Sequence, residues 1–425
     1  MAAEFHQLQR ELGVYRGLVE VSALINGITE SAELLPAVLD VARRVMNAEA
    51  ASLFLLTPDG NLQLAVASVE NGESGAPPQR ILVPRGRGIS GWVLEHGQPL
   101  LVPNAYDDPR FYREADRATG FHTRSILCVP LVRNGKEIGV LQVLNPVGRD
   151  SFDAADLAAF SAYGNLAATA IDKLRMIERR REQQRIDHEL DIARDIQSSF
   201  LPQDLPETPH AQFAATYRPA TRVGGDFFDV IEMAEDRFYF VIGDVSGKGM
   251  PAALLMAQSL STLRLILQPN IAPATVLARW NEMLCGRTIR GMFITAIVGR
   301  LDAKDRTVEF ASAGHCHPLL VRDGGVVEEI AVSGAPPLGI LPGRIMEGHT
   351  ISLQPGEWLV HYTDGLIESF NEQNVPLDLS GLRKLLARKF DSAKHLVSVL
   401  EEGELAHRGD ADPHDDLTIL TLGCR

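Results

Sequence analysis

The sequence predicts an α+β protein in which two mixed domains are joined by one long helical segment. Three observations lead to this class. Apolar runs that alternate with polar residues recur in both halves of the chain, separated by turn signals. Helical patterns lie between groups of these runs rather than after every strand, which favours antiparallel sheets. Between the two sets of strands, no Gly or Pro interrupts the chain from Asn165 to Phe200.

The composition is that of an ordinary globular protein. Of the 425 residues, 45% are hydrophobic and 23% are charged, enough for about two or three domains with their own cores. The net charge of −14 argues against nucleic acid as a partner. The four cysteines form no zinc or redox motif, which favours a reducing cytoplasm. No apolar run approaches the roughly 18 residues of a membrane span, so we expect a cytoplasmic protein without direct membrane insertion.

An N-terminal amphipathic helix is predicted within residues 1–29. Its apolar side chains recur every three or four residues and form a narrow seam, at Phe5, Leu8, Leu12, Tyr15 and Val19. Such a seam suits a coiled coil between two copies of the chain, and it suits packing on the helix's own domain equally well. A second amphipathic helix is predicted from Ser31 to Asn47.

Two hairpins follow in the first domain. Strand-like runs surround an Asp-Gly pair at 59–60 and an Asn-Gly pair at 134–135, and both pairs are typical of tight turns. A short helix is predicted at GISGWVLEHG, and a long one begins after Asp153. This order, with the segments GISGWVLEHGQPLLVPN, SILCVPL and GVLQVLNP, closely resembles a GAF domain over residues 15–172.

The resemblance implies a sensor domain whose ligand is unknown. Some GAF domains bind cyclic nucleotides, haem or bilins, and others only dimerise. The cyclic-nucleotide class carries an Asn-Lys pair and, after a Phe, an Asp-Glu pair. Here the matching pairs are Asn145-Pro146 and Asp156-Leu157. Because the Lys and the Glu are missing, we do not expect tight binding of cyclic AMP or cyclic GMP.

A helical coiled-coil linker is predicted over residues 173–203, ended by Pro202 and Pro206. A heptad seam with steps of 4, 3, 4 and 3 runs along its second half, at Ile186, Leu190, Ala193, Gln197 and Phe200. We expect a stiff connector that pairs in a parallel homodimer. The alternative is that the same seam packs within one protomer.

Four aspartates stand beside strand-like runs in the C-terminal half. Asp226 lies in VGGDFFDV, and Asp244 ends FYFVIGD before a Gly-rich turn and a helix. Asp364 follows WLVHYT, and Asp415 precedes LTILTL. Carboxylates on rigid elements suit hard divalent cations, Mg²⁺ or Mn²⁺, whereas zinc would prefer Cys and His. The alternative is that each acid only caps a turn, as Asp before Gly often does.

A zinc pair at His315 and His317 is a further alternative, because the two side chains would share a strand face. No carboxylate or third His stands at a supporting spacing, so the sequence favours the aspartate site. Cys316 between them is interpreted as structural.

The ordered motifs GGDFFD, GDVSGKG, SAGH, YTDGLIES and DDLTIL resemble the SpoIIE-type serine/threonine phosphatases of the metal-dependent PPM family. The resemblance covers residues 204–425 and implies the four-layer αββα sandwich of that family. The segment DIQSSFLPQDLP is similar to the one that precedes the phosphatase domain in RsbU-like regulators of bacterial stress signalling.

The resemblance also implies roles for individual residues in a site for two Mn²⁺ or Mg²⁺ ions. Asp244 would bridge both metals, and the backbone carbonyl of Val245 would bind one of them. Asp226 would act through the water shell of the metals, while Asp364 and Asp415 complete the second metal. The roles implied for Asp229 and Asp416 are the orientation of ligands or waters.

One feature of the wider family has no clear counterpart. Many eukaryotic members hold the substrate phosphate with an Arg near the N-terminus of the domain. Here Arg218 and Arg222 precede GGDFFD, and neither can be matched to that Arg. Metals and substrate docking would then hold the phosphate.

The function implied is hydrolysis of phosphoserine or phosphothreonine on a partner protein. By family analogy the partner is a STAS-domain anti-sigma-factor antagonist, and the GAF domain regulates turnover through the helical linker. The alternative is a scaffold with little catalysis that binds the phosphoprotein. The presence of all four aspartates favours the enzyme.

Overall fold

The computed structural model of the chain describes residues 19–20, 31–69, 81–113, 116, 121–286, 291–332 and 335–425. It divides into two compact units, Met1–Arg185 and Ile186–Arg425. The predicted N-terminal helix lies outside the described residues except for Val19 and Glu20, so its seam stays a prediction. No helix in the described ranges is both long enough and apolar enough to cross a membrane.

The N-terminal unit is built on one antiparallel sheet. Its strands are β1 (Ala48–Leu56), β2 (Leu62–Val69), β3 (Leu82–Val83), β4 (Leu100–Val102), β5 (Ile126–Arg133) and β6 (Lys136–Pro146), and two of its helices are α1 (Ser31–Val45) and α2 (Gly88–His96). The strand order is β3-β2-β1-β6-β5-β4, so the predicted antiparallel sheet is confirmed. Asn134 and Gly135 both have positive φ, 50° and 72°, as a tight hairpin turn requires.

The two faces of this sheet are covered differently. One face packs against α1 and the beginning of the long third helix, where Val38, Leu141 and Phe160 belong to one buried cluster. The Tyr163 hydroxyl donates to the Val38 carbonyl oxygen at 2.5 Å and joins the two helices. The other face packs against α2 and borders a cavity of about 610 Å³.

The third helix, α3 (Ala154–Ser198), is 45 residues long. Its start after Asp153 is confirmed. There the backbone N–H of Asp156 donates to the Asp153 carboxylate and the backbone N–H of Asp153 donates to the Asp156 carboxylate, both at 2.9 Å. This reciprocal cap satisfies two backbone donors at the helix N-terminus. The first turns belong to the core of the N-terminal unit, and the last turns belong to the C-terminal unit.

The C-terminal unit has two five-stranded antiparallel sheets with helices outside each. Its strands are β7 (Ala211–Arg218), β8 (Phe227–Ala234), β9 (Arg237–Val245), β10 (Ile294–Asp302), β11 (Thr307–Ala313), β12 (Leu319–Val321), β13 (Val327–Glu329), β14 (Gly348–Ser352), β15 (Trp358–Tyr362) and β16 (Leu417–Cys424). Its helices are α4 (Met250–Ile266), α5 (Pro273–Leu284), α6 (Asp364–Ile367), α7 (Asp378–Leu386) and α8 (Ala393–Arg408).

The predicted αββα sandwich is confirmed. One sheet has the order β14-β11-β10-β9-β8 and packs against α4 and α5 through a cluster that includes Met256 and Trp280. The other has the order β13-β12-β15-β16-β7 and packs against α7 and α8. The two sheets meet where Phe240 contacts His361, with 5.0 Å between the ring centroids. Burial lowers the pKa of His361 to about 3, so this ring packs in the core as a neutral group.

Candidate metal centre

The four predicted ligand aspartates come from neighbouring strands of both sheets. Asp226 stands directly before β8, and Asp244 is the second-last residue of β9, which pairs with β8. Asp364 begins α6 after β15, and Asp415 lies two residues before β16, which pairs with β15. Each aspartate influences the ionisation of another member of the set. The fold therefore gathers all four carboxylates at one end of the sandwich.

Asp226 is the most buried of the four, with 1% of its surface exposed. Its Oδ2 accepts hydrogen bonds from the Thr363 hydroxyl at 2.7 Å and the Thr418 hydroxyl at 2.8 Å. Burial, followed by the charges of Asp244 and Asp416, raises the pKa of the Asp226 carboxyl well above its ordinary value. The two threonines were not singled out from the sequence. Both threonines stand close to predicted ligands within the motifs YTDG and DDLT, and this proximity in sequence could have identified them.

The other carboxyls share this negative environment. Burial and then the charges of Asp364 and Asp415 raise the pKa of Asp244 to about 7. Burial and then the charges of Glu368 and Asp415 raise the pKa of Asp364. Each ionised carboxylate is disfavoured here because it is desolvated beside like charges. A divalent cation at this place would remove that penalty.

A close backbone approach explains the double glycine of GGDFFD. A Cβ on Gly225 would lie 2.7 Å from the carbonyl oxygen of Val245, the predicted backbone ligand. A Cβ on Gly224 would lie 2.5 Å from the Tyr217 hydroxyl. Only glycine lets the Asp226 loop lie this close to the end of β9.

Asp416 holds the same loop in place. Its carboxylate accepts from the Ala220 backbone N–H at 2.8 Å and from the Gly225 backbone N–H at 2.6 Å. Both donors lie just before Asp226 in the chain. Asp416 therefore orients the segment that carries Asp226.

Asp229, for which orientation of ligands or waters was predicted, lies on β8 and forms an ion pair with a residue of α4. Its carboxylate accepts from Arg264 Nε at 2.8 Å and from the Val230 backbone N–H at 2.9 Å. Asp226 stands before β8, and its carboxylate instead accepts from the hydroxyls of Thr363 and Thr418. The structure thus uses Asp229 to fasten α4 to β8.

The donor set fits a hydrated hard cation. Within the described residues, no three His, Cys, Asp or Glu side chains are gathered tightly enough to enclose an ion by themselves. Mg²⁺ usually keeps several waters and takes only one or two carboxylates directly. Asp244, Asp364, Asp415 and the Val245 carbonyl would supply direct oxygen ligands, and Asp226 would contact bound water.

Two further charged residues lie at this end of the sandwich and were missed in the sequence. Lys248 Nζ lies 3.1 Å from Asp415 Oδ2, and the charge of Glu368 acts on Asp364. Both stand inside quoted motifs, GDVSGKG and YTDGLIES, so proximity in sequence was the available signal. The guanidinium groups of Arg218 and Arg222 form ion pairs with other carboxylates, those of Glu404 and Asp191.

The zinc alternative finds no support in the ring contacts of the two histidines. His315 Nδ1 lies 2.8 Å from the Thr295 hydroxyl, whereas His317 Nδ1 accepts from the Val332 backbone N–H at 3.3 Å. Burial lowers the pKa of His315 to about 4 and raises that of Cys316 to about 12. Thr295 pairs with Asp244 in the β9–β10 register, so His315 lies behind the aspartates as a neutral, hydrogen-bonded ring.

Comparison with known proteins supports two families in one chain. The family described as Stage II sporulation protein E (SpoIIE) matches residues 234–425, and the GAF domain family matches residues 30–171. Protein IcfG of Synechocystis sp. is 24% identical over 261 residues, 55% of this chain and 41% of IcfG. Phosphoserine phosphatase RsbU of Bacillus subtilis is 27% identical over 242 residues, 56% of this chain and 71% of RsbU.

A third relative is the dual 3′,5′-cyclic-AMP and -GMP phosphodiesterase 11 of Drosophila melanogaster. It is 31% identical over 191 residues, 42% of this chain and 12% of the phosphodiesterase. The chain thus spans less than half the length of IcfG and a small part of the phosphodiesterase. The two matched regions follow one another along this chain, so it carries a region of the GAF domain family followed by a region of the SpoIIE family.

Proposed function

We propose that the protein is a metal-dependent phosphatase that removes phosphate from phosphoserine or phosphothreonine on a partner protein. One observation supports the proposal most: four aspartates from the two sheets lie at one end of the sandwich, where burial and neighbouring carboxylates raise the pKa of Asp226, Asp244 and Asp364. The match to the SpoIIE family and the relative named a phosphoserine phosphatase support the same activity. By analogy with RsbU-like regulators, the substrate is a STAS-domain protein in the cytoplasm.

The residues of the site would then each have a chemical role. A bound pair of Mn²⁺ or Mg²⁺ ions would supply an activated water and neutralise phosphoryl charge. Asp244, Asp364 and Asp415 would hold these ions with the Val245 carbonyl. Thr363 and Thr418 keep the Asp226 carboxylate in one orientation by donating hydrogen bonds to it.

Hydrolysis of p-nitrophenyl phosphate by the full chain tests the proposal. We expect turnover in Mn²⁺ that falls more than about 100-fold after treatment with EDTA, because metal stabilisation of the transition state amounts to several kcal/mol. Activity should return when Mn²⁺ is added back.

The rival function is a scaffold that binds a phosphoprotein without turnover. A phosphorylated STAS-domain protein separates the two possibilities, with phosphate release and complex formation measured side by side. Stable binding without phosphate release in saturating Mn²⁺ would support the scaffold and contradict the enzyme.

We also propose that the N-terminal unit senses a signal and transmits it through α3. The cavity of about 610 Å³ gives a ligand a place to bind, although its chemistry is unknown. The motif positions Asn145, Pro146, Asp156 and Leu157 are not among the residues that line this cavity. Continuity of α3 from one unit into the other provides the physical connection.

A parallel homodimer through α3 belongs to this proposal. The helix exposes Ile186, the first residue of the predicted seam, and such a side chain suits a partner helix. Replacing Ile186 by Glu would place two carboxylates across the seam, so we expect the dimer to dissociate at least tenfold more readily.

Analytical ultracentrifugation of the full chain measures this dissociation. His188→Glu is the matched control, because His188 is exposed but lies off the predicted seam. An Ile186→Glu protein that sediments as the same dimer as the control would refute pairing through this seam.

A further inference from the structure

Lys248 lies at the tip of the loop between β9 and α4, outside the predicted ligand set. Its Nζ is 3.1 Å from Asp415 Oδ2 and donates to the His414 carbonyl oxygen at 2.5 Å. Gly247 and Gly249 flank it with φ of 92° and 76°, values that only glycine adopts readily. Lys248 therefore lies on a tight turn. Its side chain is 47% exposed, which places it at the rim of the site.

Lys248 is also distinct from the cations around it. Within the ranges that the structure describes, it is the one cation that forms an ion pair with any of the four aspartates. Three arginines of the same unit form ion pairs with other carboxylates: Arg218, Arg222 and Arg264 pair with Glu404, Asp191 and Asp229.

The ion pair places an ammonium group on a residue that the phosphatase requires as a metal ligand. A divalent cation and an ammonium compete for the same carboxylate oxygen, and their charges repel each other. Cation binding at Asp415 therefore favours release of Lys248. A lysine on a long flexible stem, with three donors and a compact charge, is well suited to bind phosphate.

We propose that Lys248 binds the phosphoryl group of the substrate, and that its ion pair with Asp415 is a resting position that it leaves when the site takes up a divalent cation. This inference rests on the proposed phosphatase function and adds to it a phosphate contact that neither Arg218 nor Arg222 supplies. It predicts opposite effects of one substitution on metal binding and on phosphate binding.

Lys248→Met tests the inference, because Met has a similar length and no charge. A calorimetric titration with Mn²⁺ alone should show that the variant binds the ion up to about fivefold more tightly than the wild type does. This factor corresponds to the free energy that a partly exposed ion pair contributes. Inorganic phosphate should bind the Mn²⁺-saturated variant at least about tenfold more weakly, because a charge-assisted hydrogen bond is lost. The KM for p-nitrophenyl phosphate should rise by a similar factor, with a smaller change in kcat.

Two further variants serve as a rescue and a control for Lys248→Met. Lys248→Arg should recover most of the phosphate affinity because it restores the charge. Lys394→Met removes a surface lysine that pairs with Glu207, and it should leave all three measurements unchanged.

The possible results separate the inference from the function on which it rests. Unchanged phosphate affinity in Lys248→Met, or Mn²⁺ binding weaker than wild type, would overturn the inference even if the wild type is active. Phosphate binding that depends on Lys248, in a wild type that releases no phosphate from p-nitrophenyl phosphate, would refute the phosphatase and retain the inference. Absence of phosphate binding to the Mn²⁺-saturated wild type would overturn the inference directly.

Discussion

Replacing Asp244 by Asn is expected to lower Mn²⁺-dependent hydrolysis of p-nitrophenyl phosphate by more than about 100-fold. Removal of a residue that merely orients a metal ligand typically lowers activity about 10- to 100-fold, and removal of a carboxylate proposed to bind the ion directly should lower it more. Asp244 lies at the end of β9, where burial and the charges of Asp364 and Asp415 raise its pKa to about 7. The ionised form is therefore costly without a cation, and a neutral Asn relieves that cost.

The fold should survive this substitution, which gives the prediction a second measurement. The unfolding temperature of the metal-free variant should equal or exceed that of the wild type, because repulsion among the carboxylates is reduced. Added Mn²⁺ should stabilise the wild type but not Asp244→Asn, since only the native wild type binds the ion tightly.

Asp302→Asn is the matched control for Asp244→Asn. Asp302 ends the neighbouring strand β10 and pairs with Arg237 at a partly exposed position, so its loss should change activity little. Near wild-type turnover of Asp244→Asn in saturating Mn²⁺ would show that Asp244 is not a metal ligand.

Replacing Gln197 by Leu is expected to lower kcat by about tenfold or more. Gln197 is 4% exposed on the last turn of α3, and its side chain makes two hydrogen bonds to one residue. Nε2 donates to the Gly224 carbonyl oxygen at 2.5 Å, and Oε1 accepts from the Gly224 N–H at 3.2 Å. Leu fills a similar volume, but it leaves the N–H and the carbonyl oxygen of Gly224 without a hydrogen-bond partner. Each unsatisfied buried group costs roughly 1–3 kcal/mol of stability.

The effect should reach the site through the loop before Asp226. Gly224 adjoins Gly225, whose N–H donates to Asp416. We therefore expect kcat and Mn²⁺ affinity to fall together, while the KM for p-nitrophenyl phosphate changes little. That split distinguishes a positioning residue from one that binds substrate.

Gln203→Leu is the matched control for Gln197→Leu, because Gln203 is exposed beyond the end of α3. Gln197→Glu provides a graded test, since a carboxylate accepts from the Gly224 N–H but cannot donate to its carbonyl oxygen. Equal kcat in wild type and Gln197→Leu would show that the end of α3 does not position the catalytic loop. The proposed route from the N-terminal unit would then lose its physical basis.

The place of Gln197 also shows how a heptad pattern can be ambiguous. Its spacing from Ile186 predicted a seam between two helices, yet the structure buries Gln197 within its own C-terminal unit. Packing against a domain and packing against a partner helix both bury one helical face, so they produce the same periodicity. Ile186 is exposed and remains available to a partner.

The sequence by itself determined the two domain types, the α+β class and the chain positions of the four aspartates. Local sequence patterns indicate these features: apolar residues alternate in strands, turns contain Gly, and short motifs set a carboxylate beside a strand. Each of these signals depends on residues close together in the chain, so one sequence was enough to recognise them.

Only the tertiary structure decided which distant side chains meet. It assigned Asp229 to Arg264, Gln197 to Gly224 and Lys248 to Asp415. The sequence placed Asp229 and Asp226 together because both lie in GGDFFD, but Asp229 bonds to Arg264 whereas Asp226 bonds to Thr363. Local patterns record which residues are buried and where the chain turns. The partner of a buried polar or charged group is set by the packing of elements far apart in the chain, because such a group is stable only where that packing supplies a complementary atom.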